Sequence, residues 1–254
     1  MEASLQGKAA LVTGAGQGVG QGIALALASA GASLALFGRT ASKLEATAAT
    51  IAERGGQALV TAGDVCSADD LARAVTQTVE GFGSVDILVN NAQQVPMGPL
   101  AKVSDEDFEL GFRSGPLAVL RLMKLVHPHM VAGGGGTIFN LVSSAGVRWD
   151  MAGYGAYGSV KQAIRPLTRA AAAEWGRDNI RVLSIAPHAK SPGLKWWIEN
   201  NPEEAEAFFR TIPLGRVGEC EEDIGAAVVA LCQPELRYLT GATIPLDGGQ
   251  ANFD

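Results

Sequence analysis

Seven continuous apolar runs alternate with segments of helical period along this chain, and that alternation constrains the fold more than any other feature. The runs are Lys8 to Thr13, Ala32 to Phe37, Gln57 to Thr61, Val85 to Val89, Thr137 to Val142, Ile180 to Ala186 and Ala242 to Leu246. Helices are expected near 18–30, 41–54, 68–81, 104–131, 155–176, 195–210 and 219–232. Strands covered on both faces read as unbroken apolar runs, and parallel strands need a crossover helix between them. The pattern predicts an α/β fold with a doubly wound parallel sheet flanked by helices. No change of composition marks a linker, so residues 1–254 read as one domain.

Composition narrows the function classes. The chain is 47% hydrophobic and 18% charged, which provides for a sizeable core and excludes a disordered chain. A net charge of −6 argues against a nucleic-acid partner. No apolar stretch is long enough for a membrane span. The first residues, Met1 to Lys8, lack the basic start and long apolar stretch of a signal peptide. Cys66, Cys220 and Cys232 are odd in number and widely spaced, which reads as reduced thiols in a cytoplasmic protein. His127 and His129 stand two apart around a proline with no acidic or thiol cluster nearby, so no metal site is expected.

Two motifs carry chemistry. Between the first strand and the first helix lies Thr13-Gly14-Ala15-Gly16-Gln17-Gly18-Val19-Gly20. Glycines there let the backbone approach a pyrophosphate, whose charge the helix N-terminus favours. The second is Tyr157-Gly158-Ser159-Val160-Lys161. Residues four apart share a helix face, so the lysine charge is expected to favour the phenolate and tune Tyr157 for proton exchange. Ser143-Ser144-Ala145-Gly146 lies just past the fifth strand, at the edge where such sheets bind ligands, and Ser144 precedes Tyr157 by thirteen positions.

Together with Asp64-Val65, Asn90-Asn91-Ala92, Pro187 and Leu246-Asp247-Gly248-Gly249, these motifs run in order over nearly the whole length, and the chain resembles the short-chain dehydrogenases/reductases. The resemblance implies a single Rossmann-type domain with a seven-stranded parallel sheet. It implies Tyr157 as general acid in reduction and base in oxidation. Lys161 would lower the tyrosine's pKa and hold the nicotinamide ribose. Ser144 would bind the substrate carbonyl, with Ser143 structural. Gly14, Gln17, Gly18, Val19 and Gly20 would follow the cofactor phosphates. Asp64 and Val65 would flank the adenine, Asn90 and Ala92 would approach the cofactor near its ribose, and Pro187 would complete the cofactor set. A substrate lid is expected at about 190–215, beginning with Trp196 and Trp197, which either cover an apolar substrate or pack the lid and subunits, and assembly as a homotetramer is expected.

The end of the second strand selects the cofactor. An acidic residue there binds the ribose 2′-hydroxyl of NAD, whereas this chain has Gly38-Arg39-Thr40. A guanidinium suits a phosphate, so NADP(H) is favoured over NAD(H).

Four positions depart from the family pattern. Gln93 replaces a glycine after Asn-Asn-Ala, and His188 replaces one after Pro187. Both add side chains toward the substrate. Pro192 stands where a threonine is expected, and Gly115 takes the place of an active-site asparagine. Pro116 breaks the helix ladder, so Gly115-Pro116 is expected to keep a kink and a carbonyl for a proton-relay water. The expected function is an NADP(H)-dependent oxidoreductase interconverting a carbonyl and an alcohol. The alternative is a cofactor-binding regulatory or scaffold protein with weak or lost turnover.

Overall fold

The structure, a computed structural model, describes residues 4–148 and 152–251. The seven strands are β1 (Ala9–Thr13), β2 (Ser33–Gly38), β3 (Ala58–Ala62), β4 (Ile87–Asn90), β5 (Gly136–Leu141), β6 (Ile180–Pro187) and β7 (Thr243–Leu246). They pair in parallel in the order β3-β2-β1-β4-β5-β6-β7. The order reverses beside β1, which pairs with β2 at Thr13↔Phe37 and with β4 at Val12↔Val89. At such a reversal the two following connections leave for opposite faces, and a crevice opens beyond the carboxyl ends of the strands.

Nine α-helices complete the described residues: α1 (Gly18–Ser29), α2 (Ala41–Glu53), α3 (Ala68–Phe82), α4 (Asp105–Phe112), α5 (Ala118–Ala132), α6 (Gly155–Trp175), α7 (Pro192–Asn200), α8 (Pro202–Phe209) and α9 (Ala226–Leu231). One face of the sheet is covered by an apolar layer that includes Ile23, Leu27, Leu36 and Val228, the other by one that includes Leu11, Leu71, Leu122 and Ile164. Local chemistry sets the helix starts. The Ser67 hydroxyl accepts from Asp70 N at 3.2 Å, and Asp69 and Asp70 favour the positive end of α3.

Three helical segments differ from the periodicity reading. The region near 104–131 is two helices joined by a π turn, Arg113–Leu117, that contains Pro116. Pro116 has no N–H to give, and the Ser114 hydroxyl donates to Leu110 O at 2.8 Å, so the ladder resets with a wider turn. The region near 195–210 divides at Asn201-Pro202, because a residue before proline is pushed out of the helical region. The region near 219–232 begins as a π turn, Cys220–Gly225. This turn lies hard against α1: a Cβ on Gly22 would stand 2.4 Å from the Cys220 carbonyl oxygen, and one on Gly225 would stand 2.6 Å from Ala26 Cβ. An Arg54–Glu221 ion pair links the same turn to the end of α2.

A buried polar chain runs through the sheet below the crevice. Asn90 Nδ2 donates to Asn140 Oδ1 at 2.8 Å, Asn140 Nδ2 to Thr168 Oγ1 at 3.0 Å, and Ser184 Oγ to Thr168 Oγ1 at 2.8 Å. It ties β4, β5 and β6 to α6, the helix that carries Tyr157 and Lys161.

Candidate active site

A cleft of about 1200 Å³ lies along the carboxyl ends of the strands. Its floor is set by Thr13, whose hydroxyl accepts from the backbone N–H of Asn91 at 2.9 Å and of Ala92 at 3.0 Å and donates to Val89 O at 3.2 Å. One buried side chain thus fastens the ends of β1 and β4 together. Asn91 Nδ2 returns to Thr13 O at 2.9 Å. Gly14 has φ +70°, and a Cβ on it would stand 2.6 Å from Asn91 Nδ2. Only glycine fits this turn on both counts.

Gly14, Gly16, Gln17, Gly18 and Val19 line the cleft. Gly20 does not. A Cβ there would stand 2.4 Å from Gly14 O, so its work is packing α1 onto the turn. Asn90 also lies outside the lining. It is buried in the polar chain to Asn140, and its neighbour Asn91 faces the cleft instead. Strand alternation accounts for the exchange, because consecutive side chains point to opposite faces. Ala92, Asp64, Val65 and Pro187 line the cleft. The Asp64 carboxylate accepts from Cys66 N at 2.9 Å, which shapes the loop after β3.

Arg39 and Thr40 lie exposed at the rim beside Lys43, whose ammonium donates to the Gln17 amide oxygen. Lys43 escaped the motif reading because it sits one turn inside α2, in an ordinary polar pattern. The donor set fits an anionic dinucleotide: Arg39 just past β2 and Lys43 in the first turn of α2, glycine backbone at the start of α1, and a tyrosine–lysine pair farther along.

Tyr157 and Lys161 come from the first turns of α6 and line the same cleft. Lys161 is almost wholly buried, its Nζ donates to Leu141 O at 2.7 Å, and burial pushes its pKa down to about 7. The Lys161 Nζ stands 5.9 Å from the centre of the Tyr157 ring. Tyr157 departs from the expected tuning. Burial pushes its hydroxyl up, hydrogen bonding with Ser143 draws it back, and Tyr154 adds to the rise. Desolvation is the largest of these influences, and it acts on Lys161 as well.

The serine that hydrogen-bonds Tyr157 here is Ser143. Ser143 Oγ also accepts from Ala145 N at 3.2 Å, as the cap of a short turn over Ser144–Gly146. Ser144 lines the cleft as well but is buried in that turn. Gly115 does not reach the cleft. It is buried in the π turn, where its carbonyl accepts a backbone N–H, and Gln93 packs against it.

Beyond Tyr157 the cleft becomes apolar. Val95, Met97, Tyr154, Trp197 and Phe208 line it together with Gln93, His188 and Arg148. The His188 ring meets Phe208 edge-on at 5.3 Å, Trp197 meets it at 5.8 Å, and the Arg148 guanidinium lies 5.9 Å from its centre. Burial pushes the His188 pKa down, Asp247 raises it and Arg148 lowers it further. Trp196 is 64% exposed on the outside of α7, and Trp197 lines the cleft. Adjacent helical residues point about 100° apart, so only one of the pair can face the cleft. Ser191 caps α7 through Leu194 N at 3.4 Å with Pro192 at the first helical position, which explains the proline in place of threonine.

His127 meets Asp178 at 3.2 Å and the Trp175 ring at 4.6 Å, a structural contact far from the cleft. Among the described residues, no three His, Cys, Asp or Glu side chains gather where they could hold a metal ion, and no helix is long and apolar enough to cross a membrane.

Comparison with known proteins agrees with this geometry. A family described as Enoyl-(Acyl carrier protein) reductase matches residues 14–251. The chain is 38% identical to a 12alpha-hydroxysteroid dehydrogenase of Clostridium sp. over 252 residues, 96% of each chain. It is 34% identical to a tropinone reductase homologue of Arabidopsis thaliana, covering 97% of this chain and 93% of that protein. Among solved structures, a 7alpha-hydroxysteroid dehydrogenase complexed with NADH and 7-oxo glycochenodeoxycholic acid superposes with a TM-score of 0.92 at 33% identity, covering 98% of this chain and 96% of that one. A hydroxysteroid dehydrogenase from Escherichia coli gives a TM-score of 0.86 at 33% identity, covering 97% and 98%. The match to one family model over residues 14–251 and to these relatives over nearly the full length places the chain in the short-chain dehydrogenases/reductases, oxidoreductases acting on CH–OH donors.

Proposed function

We propose that the enzyme interconverts a secondary alcohol and a ketone on an apolar, multi-ring substrate, favours NADP(H) over NAD(H), and uses Tyr157 to move the proton. The observation that carries the reading is the convergence of Tyr157, Ser143 and Lys161 in one cleft whose far end is apolar. The nicotinamide cofactor, when bound, supplies or accepts the hydride. The chain's own residues do the rest. Ser143 and Tyr157 present hydroxyls to the substrate oxygen, and Tyr157 gives or takes its proton. Lys161, desolvated and held by Leu141 O, stands close enough to stabilise the phenolate as it forms. Gly14, Gln17, Gly18 and Val19 follow the pyrophosphate, Asp64 and Val65 the adenine, and Arg39 with Lys43 a 2′-phosphate. The relatives' steroid activities and the lining by Val95, Met97, Trp197 and Phe208 support a rigid apolar substrate. Gln93 and His188 supply polar contacts there, and α7 with α8 acts as the lid.

We also read the protein as a cytoplasmic homotetramer. Free Cys66, Cys220 and Cys232 support a reducing compartment. Exposed Phe108, Leu117 and Leu120 on the α4–α5 region support self-association, which light scattering would measure.

A panel of hydroxysteroids, oxosteroids and small ketones, assayed with NADPH or NADP and with NADH or NAD, tests the reading. Turnover of a multi-ring member with the phosphorylated cofactor is expected, and Tyr157→Phe should abolish it while cofactor titration stays near wild type. Retained turnover in Tyr157→Phe would move the proton transfer to another group. No turnover across the panel, with cofactor still bound, would favour a chain that binds without catalysing.

A further inference from the structure

Gln93 carries two buried polar atoms, Nε2 and Oε1, and among the described residues neither has a hydrogen-bond partner. A buried amide left this way is costly, and native structures rarely keep one without a purpose. Gln93 lies in the cleft wall one residue after Ala92. Its position is fixed from the next residue, because Gln94 N donates to Ser114 Oγ at 3.0 Å and so anchors the loop on the π turn.

The amide packs into the space beside Gly115. A Cβ at Gly115 would stand 3.0 Å from Gln93 Nε2, 3.1 Å from Gln93 Cδ and 2.8 Å from Val160 Cγ1. Val160 precedes Lys161 on α6, within the turn that begins at Tyr157. Gln93 and any side chain at 115 therefore compete for one volume next to the reacting groups. Packing alone does not call for an amide in that volume. A methionine has nearly the same shape, adapts to irregular gaps and brings no strong hydrogen-bonding atoms to satisfy.

We propose that Gln93 and Gly115 act as one unit, in which the glycine makes room for the carboxamide in the empty cleft and the Gln93 side chain turns outward to hydrogen-bond the bound reactants. The proposal rests on the reading that chemistry occurs at Tyr157. The amide then gains its partners only when the cleft fills, so part of its burial cost in the free enzyme is recovered on binding.

Two measurements test it, one of them independent of substrate. The first is a thermal-melting cycle of Gly115→Ala, Gln93→Gly and the double variant, without ligand. The Val160 contact is present in both backgrounds and cancels. Gly115→Ala should lower Tm by about 2 °C or more beyond its effect in the Gln93→Gly background. Equal losses in both backgrounds would overturn the shared volume. The second is Gln93→Met, which should keep Tm at or above wild type while lowering kcat/KM ~10-fold or more. Wild-type kcat/KM in Gln93→Met would overturn the hydrogen-bonding role, and a fall in both Tm and activity would make Gln93 structural. If wild type turned over nothing, the melting cycle would still decide the shared volume, so failure of the functional reading stays separate.

Discussion

The hydroxyl that meets Tyr157 belongs to Ser143, while the adjoining Ser144 is buried in the turn that follows. Both line the cleft, Ser143 as the cap of the short turn in which Ser144 lies. Ser143→Ala should therefore lower kcat/KM by ~10²-fold, the usual scale for losing a donor at a developing oxyanion. Ser144→Ala should cost ~10-fold or less. Steady-state kinetics on both variants checks the assignment, and the reverse ranking would return the role to Ser144.

Cofactor preference should follow the rim cations. Arg39 is exposed, so its contact with a 2′-phosphate is screened by salt. Arg39→Ala should weaken NADPH by about 10-fold with little change for NADH, and Lys43→Ala should act in the same direction. Fluorescence titration at two salt concentrations reads both effects. Equal affinity of wild type for the two cofactors would remove the argument.

Stability should rise with pH through the neutral-to-alkaline range because of Lys161. Its folded pKa is about 7, below the unfolded value of 10.5. Between those values the unfolded chain holds the extra proton, so raising the pH favours the folded state. The slope contributed is at most about 1.4 kcal/mol per pH unit. The burial cost is fully present below pH 7 and fades as the pH rises. Tyr157, with its pKa raised by burial, opposes the trend only once the unfolded tyrosine titrates, above its ordinary value of 10.0. Urea titrations at several pH values between 7 and 10 should show the slope, and Lys161→Met should flatten it.

The paired tryptophans should separate cleanly. Trp197 faces Phe208 in the cleft, and Trp196 is 64% exposed. Trp197→Ala should raise KM for an apolar substrate by about 10-fold. Trp196→Ala should leave both kcat and KM within about twofold of wild type, unless assembly buries it.

The sheet was legible because its strands are unbroken apolar runs, and all seven appear within a residue or two of their predicted bounds. Helix interruptions were less legible. Pro116 announced a kink, and the structure answers with a π turn. Asn201-Pro202 carried an equally plain signal, yet the segment around it read as one helix. At the site, motif spacing located the right turns but not the contacts of each neighbour: Asn91 lines the cleft beside Asn90, Ser143 bonds Tyr157 beside Ser144, and Trp197 meets Phe208 beside Trp196. Spacing fixes a position along the chain but not how two adjacent side chains divide their contacts. Gly115 hid its packing contact for a different reason. Its partner Gln93 lies 22 positions away in sequence, and no local pattern joins them.

The close seating of Gly22 against Cys220 bears on how the chain emerges from the ribosome. The first helix is made early, but the surface that covers its small-residue face is made about 200 residues later, the separation of those two glycine and cysteine positions. At a synthesis rate of about 5–20 residues per second, that face waits some tens of seconds for its cover. Early strands can pair during this interval, but the contact that closes the N-terminal half depends on the last fifth of the polypeptide. Loss of that C-terminal segment would therefore leave an early helix uncovered, a nascent surface for chaperones or for aggregation.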